Sequence, residues 1–240
     1  MRKNHTPAII RRLQRTLNRW YIERKIRPQF DKLGHSLAIN KPRTLQITGS
    51  DIVAGNFLHI ISNCHQPVTL TCWRSKQQRG HIDIGDYCLI SPGVNIASAR
   101  SIKIGTNCML AADVYISDSD WHGSYNRIRP FRCTESVELK NNVWVGLRAI
   151  IGKGVTIGEN SIIGAGAVVV NNVPANVIAA GNPAKVVKTL NPKRKILKRE
   201  FLFENTEGYW KKQDALEDIF CQNNSILHWL RICSSPNKRD

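Results

Sequence analysis

Aliphatic residues recur at every sixth position over much of the chain. The clearest run is Val145, Ile151, Ile157, Ile163 and Val169, which keeps one register without a break. In most of these repeats a small or β-branched residue follows four positions after the aliphatic one. The residues at this second position are Ala149, Val155, Ser161 and Ala167. A short fixed period of this kind predicts that one structural unit is repeated along the chain.

Two further runs with the same period precede this one. The first consists of Ile84, Ile90, Ile96 and Ile102, with Cys88 and Val94 at the second position. The second consists of Ile104, Leu110 and Ile116, with Cys108 and Val114. Weaker copies begin at Ile47 and Val53.

The period of six favours strands over helices. An α-helix has 3.6 residues per turn and cannot hold this register, and each glycine of the repeats would cost about 1 kcal/mol inside a helix. Short strands joined by tight turns fit the pattern, because glycine and asparagine readily adopt positive φ. Such a chain winds into a parallel β-helix with its aliphatic residues in one core. We therefore predict a mainly β fold.

One long loop interrupts the later repeats. The period stops after Ile116 and resumes at Val137. The interruption contains His122, which lies among aspartates, aromatic residues and arginines. Loops that leave a regular scaffold often carry functional residues, so His122 and the loop 123–136 are the first candidates for a functional site.

Segments outside the repeat have helical character. Residues 7–27 place aliphatic and aromatic side chains among arginines, and residues 193–232 carry charged and aromatic residues. We therefore predict three regions in the chain. These are a basic, partly helical N-terminal extension at 1–44, a β-helix domain at 45–190 with the loop 123–136, and a C-terminal helical segment at 191–240.

The formal charge of +17 is concentrated at the two ends of the chain. Residues 1–44 carry a net charge of +10, residues 45–184 carry +2 and residues 185–240 carry +5. Because a nucleic-acid-binding fold usually has a basic stripe on its body, we do not expect nucleic acid as a partner. The amphipathic segment 7–27 either lies on an anionic membrane surface or packs on the β-helix with its arginines in water.

Cysteine usage and hydropathy indicate the compartment. The seven cysteines form no CxxC pair, and we expect buried reduced thiols. No apolar run approaches the roughly 18 residues of a membrane span, and the N-terminus lacks the apolar core of a signal peptide. We expect a cytoplasmic protein, which membrane contact through 7–27 would place at the inner face of the membrane.

The segment from Asn142 to Val187 reads NVWVGLRAIIGKGVTIGENSIIGAGAVVVNNVPANVIAAGNPAKVV. In this segment, and in the repeat over about residues 40–190, the chain resembles the hexapeptide-repeat acyltransferases. That family includes maltose, galactoside and polysaccharide O-acetyltransferases. The resemblance implies a left-handed β-helix, a homotrimer with active sites between subunits, acetyl-CoA as the acyl donor and no metal ion.

The resemblance also assigns a catalytic base. In the family a loop leaves the β-helix beside a catalytic histidine, and His122 occupies that position. An alcohol needs a base to become a good nucleophile, and histidine suits that task near neutral pH. We expect His122 to be the general base, with Asp118 or Asp120 orienting its ring. The alternative is an exposed loop histidine without a role.

The resemblance also implies which residues contact coenzyme A. The positions implied are Trp144, Gly146, Ala165, Pro183 and Lys185. A backbone N–H near Gly146 to Ala149 would donate to the thioester oxygen. The alternatives are a packing role for Trp144, a corner role for Gly146 and a solvated Lys185. The Thr-Lys pair that many relatives carry before the Val-Pro turn is missing from residues 170–174 here.

Acceptor binding has the weakest sequence signal. Asn95, Arg127 and Arg129 are the candidates, with Arg132 nearby. Arginines beside the loop could bind a phosphate or carboxylate of a small-molecule or glycan acceptor, and a solvated loop is the alternative.

The sequence thus predicts a CoA-dependent acyltransferase that moves an acetyl group to a hydroxyl of a sugar or glycan precursor. N-acetylation of an amino sugar and a non-catalytic β-helix scaffold remain alternatives. A zinc enzyme of the carbonic anhydrase type is disfavoured, because His122 has no second histidine close to it in the sequence.

Overall fold

The computed structural model describes residues 5–75, 78–128, 133–205, 208, 211–212, 215–216, 219, 221 and 224–235. The chain divides into two compact units. The β-helix unit comprises Ile22–Arg199, and the terminal unit comprises Met1–Tyr21 together with Glu200–Asp240. Residues 1–21 of the predicted N-terminal extension therefore share one unit with residues 200–240 of the predicted C-terminal segment, and residues 22–44 belong to the β-helix unit.

The β-helix unit is built from short strands, most of them two to four residues long. The strands are β1 (Lys32–Leu33), β2 (Ala38–Asn40), β3 (Gln46–Thr48), β4 (Ile52–Ala54), β5 (His59–Ile61), β6 (Thr69–Cys72), β7 (Ile82–Ile84), β8 (Leu89–Ile90), β9 (Asn95–Ser98), β10 (Ile102–Ile104), β11 (Met109–Leu110), β12 (Tyr115–Ser117), β13 (Val137–Leu139), β14 (Trp144–Val145), β15 (Ile150–Ile151), β16 (Thr156–Ile157), β17 (Ile162–Ile163), β18 (Val168–Val169), β19 (Val177–Ala180) and β20 (Lys185–Thr189).

Three strands make one coil, and equivalent strands of successive coils stack in parallel. The three sheets have the orders β1-β4-β7-β10-β13-β16, β2-β5-β8-β11-β14-β17-β19-β20 and β18-β15-β12-β9-β6-β3. The last strand, β20, pairs antiparallel with β19 and ends the second sheet. The predicted mainly β fold, a left-handed parallel β-helix, is confirmed.

The predicted register places the core correctly. The aliphatic residues of the three clear runs are buried, and so are the residues named at the second position, from Cys88 to Ala167. Cys88 and Cys108 lie in this core, and all seven cysteines are free thiols. Burial of one aliphatic side chain contributes about 1.5 to 3 kcal/mol, so the repeated core is the main source of stability in this unit.

The start of the β-helix differs from the prediction in two respects. The first coil begins at Lys32, because β1 pairs with β4 and β2 pairs with β5, so the predicted boundary at residue 45 is wrong. The register at Val53 is also wrong by one position. Ile52 and Ala54 are buried, whereas Val53 is half-buried and points outward, because strand side chains alternate between the two faces.

A helical segment precedes the first coil, as predicted for 7–27. Helix α1 spans Ala8–Tyr21 and is followed by a π-helical turn at Ile22–Ile26 and a 3-10 turn at Arg27–Gln29. Ile22 and Ile26 are buried in the β-helix unit. In the terminal unit α1 buries none of its own side chains.

The terminal unit also contains helix α2, which spans Ile226–Ser234. The side chain of Ser225 caps α2 by accepting a hydrogen bond from the amide of His228. Asn224 donates to the carbonyl oxygen of Thr6, and this bond joins the two ends of the chain within the unit. Among the described residues, no helix combines the length and the apolar character that a membrane span needs.

Candidate active site

The corner that follows the third strand of each coil carries the long loop. We call residues 73–81, 99–101 and 118–136 the loop corner, because they follow β6, β9 and β12 in three successive coils. The base of the long loop is closed by an antiparallel bridge between Ser119 and Thr134. Its amides at Asp120 and Glu135 donate across the base, at 3.1 and 2.9 Å. The scaffold therefore fixes where the loop begins and ends.

Asp118 is fully buried and holds the preceding coil. Its carboxylate accepts four hydrogen bonds, each of 2.7 to 2.9 Å. The donors are the hydroxyl of Ser98 and the amides of Ala99, Arg100 and Ser101. Because these donors saturate the carboxylate, the expectation that Asp118 orients the ring of His122 is corrected. Asp118 supports the backbone of the loop corner instead.

Asp120 is paired with the next coil. Its carboxylate lies 2.7 Å from the ammonium of Lys153. The hydrogen bond to Asp120 raises the pKa of Lys153 above its ordinary value. Asp120 contacts His122 through the backbone only, where its carbonyl oxygen accepts from the His122 amide at 2.7 Å. The expectation that the Asp120 side chain orients the imidazole is therefore corrected as well.

His122 follows a tight turn and is exposed to solvent. Trp121, at the centre of the turn, has a φ of 62°, an uncommon value for a bulky residue. The amide of Trp121 donates to the hydroxyl of Ser119 at 3.0 Å. Its indole N–H donates to the hydroxyl of Tyr115 at 3.2 Å. These bonds fix the backbone from which the imidazole of His122 projects.

The imidazole is held by a backbone carbonyl. Nδ1 of His122 lies 2.7 Å from the carbonyl oxygen of Arg127. A carbonyl oxygen only accepts hydrogen bonds, so Nδ1 carries the proton in this contact. In the neutral ring Nε2 then has the lone pair, and it is the nitrogen that can accept a proton. The sequence could not identify this orienting group, because any residue can supply a backbone carbonyl.

The amide donor to the thioester oxygen is predicted within residues 146–149, and the structure shows which of these amides is already engaged. The N–H of Gly146 donates to Ile163 O at 2.8 Å within the ladder between coils, and is therefore already used. A side chain at Gly146 would lie 2.7 Å from Ala165 N, so a glycine is required for the coils to stack. For the amides of Leu147 and Ala165, the described residues supply no acceptor.

The other predicted donor contacts are exposed. Trp144 lies on β14 with 46% of its surface exposed, and Ala165 is exposed one coil later. Pro183 and Lys185 are exposed around the hairpin between β19 and β20, where Asn182–Pro183 is a cis peptide. These positions are accessible to a ligand, and Trp144 lies in the second sheet, whereas His122 follows β12 of the third sheet.

The Val-Asn-Asn sequence that replaces the Thr-Lys pair has a structural role at one position. The side-chain oxygen of Asn172 accepts the amide of Thr156 at 2.7 Å and so caps the neighbouring coil. Val170 is exposed on the same surface. Neither residue offers a cation for a phosphate group.

The structure describes only some of the residues predicted to bind the acceptor. Asn95 lies on β9, half-buried, and pairs in register with Tyr115 of β12. Arg127 is exposed, and its carbonyl orients His122. Arg129 and Arg132 lie outside the described residues. No group of three His, Cys, Asp or Glu residues that could hold a metal ion occurs in the described part of the chain.

Sequence reasoning missed the residues that surround the loop from the preceding coils. Trp73 packs its ring against Trp121, with ring centroids 5.7 Å apart. Gln78 donates to the hydroxyl of Thr134 at 3.1 Å. A polar insertion between β6 and β7, at the same corner as the long loop, was the available signal.

Two parts of the β-helix match family models. Residues 136–171 match the model for bacterial transferase hexapeptide repeats (six repeats). Residues 81–118 match the model for the hexapeptide repeat of succinyl-transferase. The predicted resemblance to the hexapeptide-repeat transferases is confirmed.

Among curated proteins the chain is similar to galactoside O-acetyltransferases. It is 35% identical to the Escherichia coli (strain K12) enzyme over 117 residues, which is 48% of this chain and 57% of the relative. It is 32% identical to the Lactococcus lactis (strain IL1403) enzyme over 112 residues, which is 46% of this chain and 53% of the relative. The chain thus spans little more than half the length of these relatives.

A solved structure shares the fold. AntD, an N-acyltransferase from Bacillus cereus solved in complex with dTDP and 3-hydroxybutyryl-CoA, superposes with a TM-score of 0.55 at 20% identity. The match covers 80% of this chain and 96% of AntD. At this identity the likeness supports the β-helix architecture.

Proposed function

We propose that this chain, which carries the repeats of the hexapeptide transferases, is a CoA-dependent acyltransferase. It moves an acetyl group from acetyl-CoA to a hydroxyl of a sugar or glycan precursor. The observation that carries the proposal is the 2.7 Å contact between His122 Nδ1 and Arg127 O. This contact leaves Nε2 as the basic nitrogen, beside a loop that leaves a hexapeptide β-helix.

The reaction is a direct transfer with His122 as general base. Nε2 takes the proton of the acceptor hydroxyl while the hydroxyl oxygen attacks the thioester carbonyl carbon. The tetrahedral intermediate then breaks its carbon–sulfur bond, and the imidazolium gives its proton to the departing thiolate. The hydrogen bond from Nδ1–H to the carbonyl of Arg127 stabilises the positive ring that forms between these two steps.

The donor site is proposed along the exposed corner of the later coils. Trp144 and Ala165 line the pantetheine arm, and Pro183 and Lys185 meet the nucleotide end, where the ammonium pairs with a phosphate. Within the predicted range 146–149, the amide of Leu147 is the proposed donor to the thioester oxygen. Because the donor positions lie on or beside the second sheet and His122 follows the third sheet, we expect the complete site to need a neighbouring subunit of a homotrimer.

The acceptor is proposed to be a sugar hydroxyl, bound with the help of Asn95, Arg127 and Arg129. Similarity to two galactoside O-acetyltransferases supports oxygen over nitrogen as the acceptor atom. The amino group of an amino sugar is the second candidate, since the acceptor that AntD acylates receives the group on nitrogen. Mild alkali separates the two, because it cleaves an acetyl ester and leaves an acetamide intact.

We also propose a cytoplasmic location with α1 at the inner face of the membrane. Ile9, Leu13, Leu17 and Trp20 are exposed along one face of α1. The helix contains no acidic residue in its first turn and has several arginines on its remaining faces. An amphipathic helix of this composition fits an anionic lipid surface.

The test combines donor binding, transfer and assembly. Calorimetry with acetyl-CoA should show saturable binding, and labelled acetyl-CoA with a panel of methyl glycosides should give acceptor-dependent thiol release and a labelled glycoside. Three chains of 27.1 kDa should elute as a particle of about 81 kDa. Absence of acetyl-CoA binding, or a monomeric active protein, would contradict the proposal.

A further inference from the structure

A short hairpin projects from the loop corner two coils before the coil that carries the long loop 118–136. We call it the hairpin 73–80; its described residues, 73–75 and 78–80, lie between β6 and β7. Gly80 N donates to Trp73 O at 2.8 Å, and Ser75 N donates to Gln78 O at 2.8 Å. Trp73, at the start of the insertion, has 47% of its surface exposed.

The hairpin contacts the long loop 118–136 directly at two points and is linked to it through Ser98 at a third. The rings of Trp73 and Trp121 meet edge to face, with centroids 5.7 Å apart and planes at 62°. Gln78 donates to Thr134 at the base of the loop, at 3.1 Å. The amide of Trp73 donates to Ser98 O at 2.8 Å, and Ser98 is itself bound to Asp118. The hairpin and the loop are therefore held in one arrangement.

The same turn positions one of these indoles and the proposed base. Trp121 is fixed by its indole bond to Tyr115 and by its amide bond to Ser119. His122 is the next residue, and its amide closes the turn on Asp120. Trp121 and the proposed base are therefore neighbours in sequence on one turn whose backbone is fixed.

We infer that Trp73 and Trp121 form a stacking platform for the pyranose ring of the acceptor. This inference rests on the proposed acyltransferase function and names the acceptor class and the residues that bind it. The C–H face of a pyranose is apolar and packs on an indole, while its hydroxyls remain free at the ring edge. Two indoles at a steep angle bind one face of the sugar and leave one edge directed to His122.

Other roles for the indole of Trp73 predict different results. If Trp73 instead packs against a neighbouring subunit, its loss changes the oligomer and not the affinity for sugar. If it only supports the loop, its loss lowers the turnover number and leaves the acceptor KM unchanged. A stacking role alone predicts a change in acceptor affinity with the donor affinity preserved.

The test measures binding separately from turnover, in the full-length chain carrying His122→Ala. The probes are the methyl pyranosides of galactose, glucose and N-acetylglucosamine, and the acyclic alcohol galactitol is the control for hydroxyls without a ring. We expect Trp73→Ala to weaken pyranoside binding about tenfold, Trp73→Phe to restore most of it, and acetyl-CoA binding to be unchanged. Trp20→Ala, another exposed indole, is the matched control and should have no effect.

Three results would overturn the inference. These are pyranoside binding that is absent from the parent chain, equal binding in Trp73→Ala, or equal binding of galactitol. A changed oligomer mass in Trp73→Ala would also overturn it in favour of a subunit contact. If sugar binding depends on Trp73 but the chain with an intact His122 transfers no acetyl group, the proposed function is contradicted and the platform is supported. If the chain transfers an acetyl group but Trp73→Ala leaves the acceptor KM unchanged, the platform is contradicted and the proposed function is supported.

Discussion

The carboxylate of Asp118 accepts a hydrogen bond from the hydroxyl of Ser98 at 2.7 Å, with both residues buried. This bond joins the end of β12 to the end of β9 in the preceding coil. The carbonyl of Ser98 in turn accepts the amide of Trp73. One buried carboxylate thus organises the corner from which the long loop 118–136 and the hairpin 73–80 both project.

Replacing this carboxylate should be costly. Asp118→Asn keeps the size of the side chain but turns one hydrogen-bond acceptor into a donor that faces amide groups. Leaving buried partners unsatisfied should lower the free energy of unfolding by about 2 to 4 kcal/mol, as measured by urea denaturation.

Asp120→Asn is the matched control, since it removes a partly exposed ion pair with Lys153. Such a pair contributes less than about 1 kcal/mol. Equal destabilisation by the two substitutions would contradict the conclusion that Asp118 supports the loop corner while Asp120 forms only a surface ion pair.

Gly146 should be far less tolerant of a side chain than a neighbouring glycine. In Gly146→Ala the new Cβ would lie 2.7 Å from both Ala165 N and Ile163 O. Forcing the coils apart should cost about 1 to 3 kcal/mol. In Gly152→Ala the nearest atom is 3.4 Å away, at Val169 O. The free energy of unfolding of this variant should lie within about 0.5 kcal/mol of that of the parent chain. Similar urea midpoints of unfolding for the two variants would contradict the explanation that close stacking of the coils requires a glycine at position 146.

His59 should make the β-helix less stable in acid. Burial, and to a smaller extent the charge of Arg199, lower the pKa of His59 from 6.5 to about 4. Because the unfolded chain binds a proton at higher pH than the folded chain, stability is complete above pH about 6.5 and falls as the pH drops towards about 4. The loss should reach roughly 2 to 3 kcal/mol.

The check is urea unfolding at several pH values. His59→Gln should show a shallower decline in stability between pH about 6.5 and about 4, because it removes the titrating group. His65→Gln changes an exposed histidine and should follow the parent chain. An unchanged decline in His59→Gln would show that another group is responsible.

The exposed face of α1 should bind anionic membranes. Vesicles with phosphatidylserine should sediment the full chain, and neutral vesicles should retain less of it, because apolar insertion and arginine attraction act together. Leu13→Gln combined with Leu17→Gln should abolish most of the binding. Asn18→Ala, on the opposite face of the helix, should leave it intact. Binding that survives the double substitution would rule out this face as the contact.

The period of six was sufficient to predict the core. From Val145 to Val169 each repeat position is buried, because the register of a β-helix is set by the alternation of inward and outward side chains. The signal failed at the first coil. At Ile52–Ala54 three consecutive apolar residues left the inward position undetermined, and Lys32–Leu33 shows no hexapeptide pattern at all.

The candidate site could be predicted only where side-chain identity carries the chemistry. His122 was found because histidine beside a loop is a recognisable signal. The group that orients it was not, since it is the backbone oxygen of Arg127. The supporting role of Asp118 was also hidden, because its partners lie in the preceding coil. Trp73 was missed because its contact with Trp121 spans two coils.

The most direct test of the account measures acceptor-dependent thiol release from acetyl-CoA by two single variants of the full chain. One variant replaces the imidazole proposed to be the base, His122→Ala, and the other replaces an exposed histidine far from the loop in sequence, His65→Ala. If Nε2 of residue 122 accepts the hydroxyl proton, the rate of thiol release by His122→Ala should be roughly 10² to 10⁴-fold lower than that of the parent chain, although the variant still binds acetyl-CoA. His65→Ala should release thiol at the rate of the parent chain. Equal rates in all three proteins would show that the proton goes elsewhere.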